Sequence, residues 1–228
     1  AATGSDAFIG SGRYNGITGA RSGIVAGDGN SIHSATGAFI AGGVGNTISI
    51  GCNDGAIVGS KGSYIGQSAT TSSIISALTS NITGAERSVI VGGRSHIIRG
   101  VSGNLVDNGA IIGGYQNKIS TQYSSRNSII LGGQDNEMNA TSSQYMNECI
   151  IAGGYSNSIR NSYYSGIFAG NGNSITNPNS NNIIGGDDNT VTGAGCSIMG
   201  SQNSSVAGQR TQVFGGSNTR ILGGTTTQ

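Results

Sequence analysis

Tyrosines with neighbouring arginine and asparagine side chains are the residues of this 228-residue chain best suited to binding chemistry. They fall in three segments, Ser120–Asn127, Asn139–Glu148 and Arg160–Ser165. Aromatic faces beside amide and guanidinium donors suit sugar rings, which present apolar C–H faces and hydroxyl edges. We therefore predict a glycan-binding patch composed of Tyr123, Arg126, Tyr145, Asn147, Tyr163 and Tyr164. The alternative is that these tyrosines pack against their own loops or an oligomer contact.

Carboxylate pairs would be needed for glycoside hydrolysis, with their carboxyl groups roughly 5 to 10 Å apart. The local candidates are Asp187 with Asp188 and Asp135 with Glu137. Adjacent acids in turns are commonly solvated turn formers, and the aligned positions of neighbouring repeats lack acids. We expect no catalytic residues and no enzymatic activity. A polysaccharide depolymerase with a site between subunits is the less favoured alternative.

Metal and nucleophile chemistry find little support in the spacing of histidine and cysteine. His33 and His96 lie far apart, and Cys52, Cys149 and Cys196 show no metal-type spacing. We expect the cysteines to pack in the interior and His96 to replace a turn asparagine. The sequence therefore predicts no metal site and no cofactor.

Charge and hydropathy limit the classes of partner. The formal net charge is +1, only 9% of residues are charged, and lysine and arginine form no run. Nucleic acid is therefore not an expected partner. No apolar stretch approaches the roughly 18 residues that span a bilayer, so membrane insertion is not expected.

A repeat of two apolar columns must position all of these side chains. Thirteen residues form the first column, and an apolar residue follows each of them eight positions later. Steps within the first column range from 15 to 21 residues. A repeat of this size predicts an all-β parallel solenoid, a β-roll or β-helix, of about thirteen coils. The first column contains Ile9, Ile24, Ile40, Ile57, Ile74, Ile90, Ile111, Ile130, Ile151, Ile167, Ile183, Ile198 and Val213.

Glycine pairs and asparagines mark the turn of each coil. Pairs such as Gly113-Gly114 and Gly132-Gly133 follow the first column and predict tight turns. Asparagine recurs at the turn exit, as at Asn117 and Asn136, and stacked copies predict a structural side-chain ladder. We expect one repeat domain over residues 1–228, belonging to a longer fibre protein.

A second apolar column follows the core isoleucines directly and should face outward. An apolar stripe along a rod is unusual for a monomer, so we predict a homotrimer in which the stripes cover one another. The alternative is one wide coil whose single core holds both columns. The predicted interface residues are Val25, Val58, Ile75, Val91, Ile112, Leu131, Phe168, Ile184, Met199 and Phe214.

The repeats running from Ser128 to Met138 and from Cys149 to Ile159 resemble those of trimeric β-roll heads in autotransporter adhesins. They are also similar to glycine-rich β-helical repeats of bacteriophage tail fibres and tailspikes. The resemblance implies an extracellular rod, in a virion tail fibre or on a bacterial surface, that recognises a host receptor or glycan. A purely structural or filament-forming module is the alternative function.

Overall fold

The computed structural model describes residues 1–101, 103, 105–141, 145–176 and 179–223. This part of the chain contains strands, turns and bends and no helix. It winds into a parallel β-solenoid of about 12 turns with about 17 residues each. The predicted fold class is confirmed.

Two sheets of 13 parallel strands run the length of the solenoid. The first sheet carries the first isoleucine column, and successive isoleucines pair in register, as Ile111 does with Ile130. Its strands are Phe8–Ile9, Gly23–Ile24, Phe39–Ile40, Ala56–Val58, Ser73–Ile75, Val89–Val91, Ala110–Ile112, Ile129–Leu131, Ile150–Ile151, Gly166–Phe168, Asn182–Ile184, Ser197–Met199 and Gln212–Phe214.

The second sheet carries the apolar residues that lie eight positions further along, and Ile119 pairs in register with Met138. Its outer face is mostly polar, in contrast to that of the first sheet. Its strands are Gly16–Ile17, Ser31–Ile32, Thr47–Ile48, Tyr64–Gly66, Asn81–Thr83, Ile97–Arg99, Lys118–Thr121, Glu137–Ala140, Ser158–Arg160, Ser174–Thr176, Thr190–Val191, Ser205–Val206 and Arg220–Ile221.

The core lies between the two sheets. Both isoleucine columns point into it, and residues such as Ile90, Ile111 and Ile119 are completely buried. Neighbouring residues of a strand point to opposite faces, so Ile112 on the outer side of Ile111 is 46% exposed. The alternative of one wide coil with both columns in a single core is therefore wrong.

A third, shorter sheet was not anticipated from the sequence, which suggested only two strands per coil. It joins four successive coils and pairs them in parallel. An additional two-stranded sheet links Gly43–Val44 with Ser60–Lys61. The strands of the third sheet are Ala85–Glu86, Val106–Asp107, Ser125–Arg126 and Met146–Asn147.

The predicted asparagine ladder is present and completely buried along most of its length. The backbone N–H of Asn157 donates to Asn136 Oδ1 on the preceding coil at 3.0 Å. Asn136 Nδ2 donates to the Gly154 carbonyl of the following coil at 3.1 Å. Each asparagine thus pairs two backbone groups that would otherwise be buried without partners, an omission that costs about 1–3 kcal/mol per group.

Three consecutive rungs of the ladder are not asparagine. Ser63, Ser80 and His96 occupy these positions, and Ser80 N–H donates to Ser63 Oγ at 3.4 Å. His96 Nδ1 accepts the backbone N–H of Asn117 at 3.2 Å, as an asparagine oxygen would. His96 is thus a replacement for a turn asparagine, as expected. Its Nε2 is buried and makes no hydrogen bond with the described residues.

The left-handed backbone of the turn belongs to the residue before each rung. Gln116, Asp135 and Ser156 have φ of 54°, 54° and 52°. Gly133, the second glycine of its pair, also has positive φ, at 77°, and approaches the next coil closely. A Cβ placed there would lie 2.3 Å from the Gly154 carbonyl oxygen and 2.4 Å from Asn136 Nδ2. Only glycine allows the ladder to form at this distance.

We predict that Gly133→Ala destabilises the protein much more than Gly132→Ala. Both glycines have left-handed φ, which costs a non-glycine residue about 1–2 kcal/mol. Only the Gly133 substitution also displaces the carbonyl and amide of the ladder, since a Cβ at Gly132 meets nothing closer than 3.8 Å. Guanidinium denaturation followed by circular dichroism measures the difference. Equal losses would contradict the close-approach explanation.

We predict that His96 weakens the fold in mild acid. Burial lowers the pKa of His96 from 6.5, so the unfolded chain binds a proton more readily than the folded one. The contribution of neutral His96 is complete above pH 6.5 and is lost as the pH falls below it.

The denaturation midpoint measured at pH 7.5 and at pH 5 tests this effect. His96→Asn restores an uncharged rung and should reduce the fall between the two pH values. His33→Asn removes an exposed histidine and serves as the matched control. An unchanged pH dependence in His96→Asn would overturn the prediction.

Candidate functional site

The predicted glycan patch lies on the outer side of the third sheet. Inward residues of its strands, such as Val106 and Met146, are buried, and the residue after each of them faces outward. The next residue has positive φ and leads the chain towards the first sheet, as at Asn127 and Tyr164 with φ of 50° and 53°. The outward column runs through Glu86, Asp107, Arg126, Asn147, Tyr163 and Asn179.

The structure brings three of the six predicted residues into direct register. Arg126 pairs with Asn147, which pairs with Tyr163 on the next coil. Tyr164 lies beside Tyr163, with ring centroids 6.5 Å apart and planes inclined by 37°. Adjacent parallel strands are about 4.8 Å apart, so these side chains form a short mixed surface of amide, guanidinium and aromatic groups.

Tyr123 and Tyr145 lie where the chain enters the third sheet, and both are exposed. The backbone N–H of Tyr145 donates to Tyr163 Oη at 3.3 Å. The Tyr163 hydroxyl thus binds the backbone of the preceding coil. For this tyrosine, the contact agrees with the alternative in which the tyrosines pack against loops. Residues 142–144 of the second tyrosine-bearing segment lie outside the described residues.

The third tyrosine-bearing segment, Arg160–Ser165, does not lie in a long coil, and the long coil that precedes the first segment was overlooked. The step from Ile90 to Ile111 is 21 residues, whereas that from Ile151 to Ile167 is 16. The segment after Arg99 therefore also contributes to the outer side of the third sheet, hereafter the third-sheet wall, and its Val106–Asp107 strand joins that sheet. Comparing the column steps coil by coil would have identified it.

The sequence analysis missed two carboxylates, Glu86 and Asp107, that lie in register on the third-sheet wall. Glu86 pairs with Asp107 on the next coil. Arg87 Nη2 donates to both oxygens of Asp107 at 2.5 and 2.6 Å, and Arg87 Nη1 lies 3.9 Å from Glu86 Oε2. Arg87 thus pairs with both carboxylates, and Glu86 and Asp107 line a shallow cleft together with Arg126.

Of the carboxylates considered for hydrolysis, Asp135 and Glu137 have local partners. Glu137 Oε1 lies 2.8 Å from Lys118 Nζ, and Gln134 Nε2 donates to Asp135 Oδ2 at 3.1 Å. Asp187 stands in the turn column between Asn171 and Gln202. These groups have the environment of surface turn residues.

A second aromatic column lies at the glycine turn. Tyr115, Gln134 and Tyr155 occupy successive coils there. The Arg94 guanidinium carbon lies 5.8 Å from the centre of the Tyr115 ring, within cation–π range. This column is separated in sequence from the third sheet by the second-sheet strand of each coil.

All three cysteines are buried and free of disulfides. Cys149 and Cys196 occupy the position that serine holds in other coils, and their Sγ atoms lie 3.2 Å from carbonyl oxygens of the next coil. Burial raises the pKa of the Cys149 thiol to about 11. Among the residues that the structure describes, no three His, Cys, Asp or Glu side chains are grouped to hold a metal ion.

The predicted interface residues form an exposed stripe on the outer face of the first sheet. Phe214 is 69% exposed, Ile112 46%, and Ile184 44%. Val91 is half-buried. Every residue of this column from Val25 to Phe214 is apolar, whereas the parallel column on the same face is mixed, with Phe39 and Ile129 as well as Asn182 and Gln212.

The described residues include no helix long and apolar enough to cross a membrane. No protein-family model matches the chain, and no curated protein matches it significantly. Function is therefore inferred from the fold and its exposed surfaces.

Proposed function

We propose that this protein is a rigid, homotrimeric fibre segment that recognises glycans on a host surface. The observation that carries the proposal is the apolar stripe, which follows about 12 turns of a chain whose core is already complete. At about 4.8 Å per turn the stripe extends for roughly 58 Å. A soluble monomer seldom exposes so long an apolar surface.

Three copies around an axis parallel to the solenoid would cover the stripe. The apolar column is the part of each chain that would lie nearest to this common axis. The second sheet, with polar residues such as Lys118 and Glu137, would face away from that axis. The third-sheet wall would then be presented three times, so that weak contacts add through a high effective concentration.

Such a rod suits projection from a virion tail fibre or, alternatively, from a bacterial surface. Parallel strands in register and a buried ladder of side-chain hydrogen bonds give stiffness without a cofactor. The surface of Arg126, Asn147 and Tyr164 has the groups that sugar recognition uses. A filament-forming module without its own receptor is the second candidate, favoured by the same stripe.

We expect the purified protein to have three times the 22.7 kDa mass of one chain, measured by light scattering. Ile112→Lys should yield a folded monomer, because it places three positive charges near the proposed axis. Ile97→Lys alters an exposed isoleucine on the second sheet and should remain trimeric. A monomeric wild-type protein would overturn the trimer. A dimer would indicate instead that the apolar faces of two first sheets pack against each other.

We expect the combined change Tyr123→Ala, Tyr145→Ala and Tyr164→Ala to weaken glycan binding at least about tenfold, as loss of aromatic anchors does. Tyr163 is left intact because its hydroxyl holds the Tyr145 turn. Binding to host cells and to a glycan array measures the effect, and exposed Tyr14→Ala is the control.

Unchanged attachment of the triple variant would show that these three tyrosines are not part of the binding site. A trimer that binds no cell or glycan would favour the filament-forming module. Release of reducing sugars from a bound polysaccharide would identify a depolymerase.

A further inference from the structure

A polar groove lies where the second sheet is widest. Its walls include Arg99, Ser120, Thr121, Gln122, Asn139 and Thr141, and it encloses about 260 Å³. The two longest strands of the second sheet, Lys118–Thr121 and Glu137–Ala140, lead into it. A neighbouring groove of about 470 Å³ shares the Arg99 wall and continues towards Gln67 and Ser68.

The guanidinium charge of Arg99 has no ion-pair partner in this groove. None of the described residues that line the two grooves is an aspartate or glutamate. Arg99 is exposed, and none of the described residues forms a hydrogen bond or ion pair with its guanidinium group. Lys118 differs, because Glu137 pairs with it at 2.8 Å. Arg99 is therefore a free guanidinium group in a concave polar surface, where it can bind a carboxylate or sulfate through two hydrogen bonds.

Ser120 provides a second polar group on the same outward face as Arg99. Its side chain is half-buried, and none of the described residues forms a hydrogen bond with its hydroxyl group. Thr121, the next residue, faces the interior beside Ala140 and is only 3% exposed, so its hydroxyl does not reach the groove. The free hydroxyl of Ser120 is therefore the one that a ligand bound to Arg99 can contact.

The polar groups are arranged along the solenoid. Arg99, Ser120 and Asn139 pair in register on successive coils, about 4.8 Å apart. Tyr123 follows Thr121 by two residues, so the groove leads directly into the tyrosine-bearing turn. A linear polymer lying along the coils could contact the groove and the aromatic wall together.

We propose that this groove binds an acidic sugar of the surface glycan, with Arg99 on its carboxylate or sulfate and Ser120 and Asn139 on its hydroxyl groups. This inference rests on the proposed glycan-binding function and specifies its ligand class. The tyrosine-bearing surface then selects for sugar, and the groove selects for negative charge.

The test measures binding of the trimeric protein to three soluble polymers by isothermal titration calorimetry. Polygalacturonate carries carboxylates, dextran sulfate carries sulfates, and dextran is neutral. We expect wild-type protein to bind one or both acidic polymers and Arg99→Gln to bind them at least about tenfold more weakly. Arg160→Gln removes the same charge from the same outward column, outside the groove lining, and should change affinity less than about twofold.

Ser120→Ala and Thr121→Val separate a binding role from a structural one. Ser120→Ala removes the outward hydroxyl beside Arg99 and should weaken binding of the acidic polymer while leaving the denaturation midpoint unchanged, whereas Thr121→Val removes the inward, unpartnered hydroxyl and should leave binding unchanged. Equal losses in Arg99→Gln and Arg160→Gln would reduce the effect to general charge attraction and overturn the proposal. Binding of neutral glycans with no preference for acidic ones would overturn the groove assignment but keep the proposed function, whereas no glycan binding at all would overturn both.

Discussion

Pairing of buried turn groups with the next coil is the constraint on which this structure depends. A solenoid turn takes its N–H and C=O groups away from solvent, and each needs a partner. The asparagine side chain supplies both a donor and an acceptor. The side chain of Asn136 donates to the Gly154 carbonyl and accepts from the Asn157 N–H, both on the following coil. Glycine at the facing position permits the approach, and the isoleucine columns can then stack in register.

Much of the fold was predictable because it depends on residue types at fixed spacing. The two isoleucine columns, the ladder and the outward position of Ile112 follow from the alternation of strand residues. The third sheet was not predictable in the same way, since its strands lie in turns of variable length. Register between Glu86 and Asp107 therefore had no fixed offset from the isoleucines. The register of Arg126, Asn147 and Tyr163 could be anticipated only as a cluster, and the groove at Arg99 depends on how two four-residue strands end.

Stability and surface chemistry are separated in this molecule. Isoleucines and ladder residues face inward and leave the outward positions free to vary from coil to coil. The first sheet uses that freedom for an apolar stripe, and the second sheet uses it for charged and hydroxyl groups. A change at Arg99 or Tyr164 alters what the rod presents and leaves its core intact.

The interruption of the ladder at Ser63, Ser80 and His96 has a mechanical consequence. Asparagine rungs tie each coil to the next with both an accepted and a donated bond, whereas the described contacts of Ser63 and Ser80 include no side-chain donation to the following coil. The bond from Ser80 to Ser63 is also longer, at 3.4 Å. A tensile load along the rod would therefore be resisted by fewer ladder bonds between Ser63 and His96 than between asparagine positions such as Asn117 and Asn136.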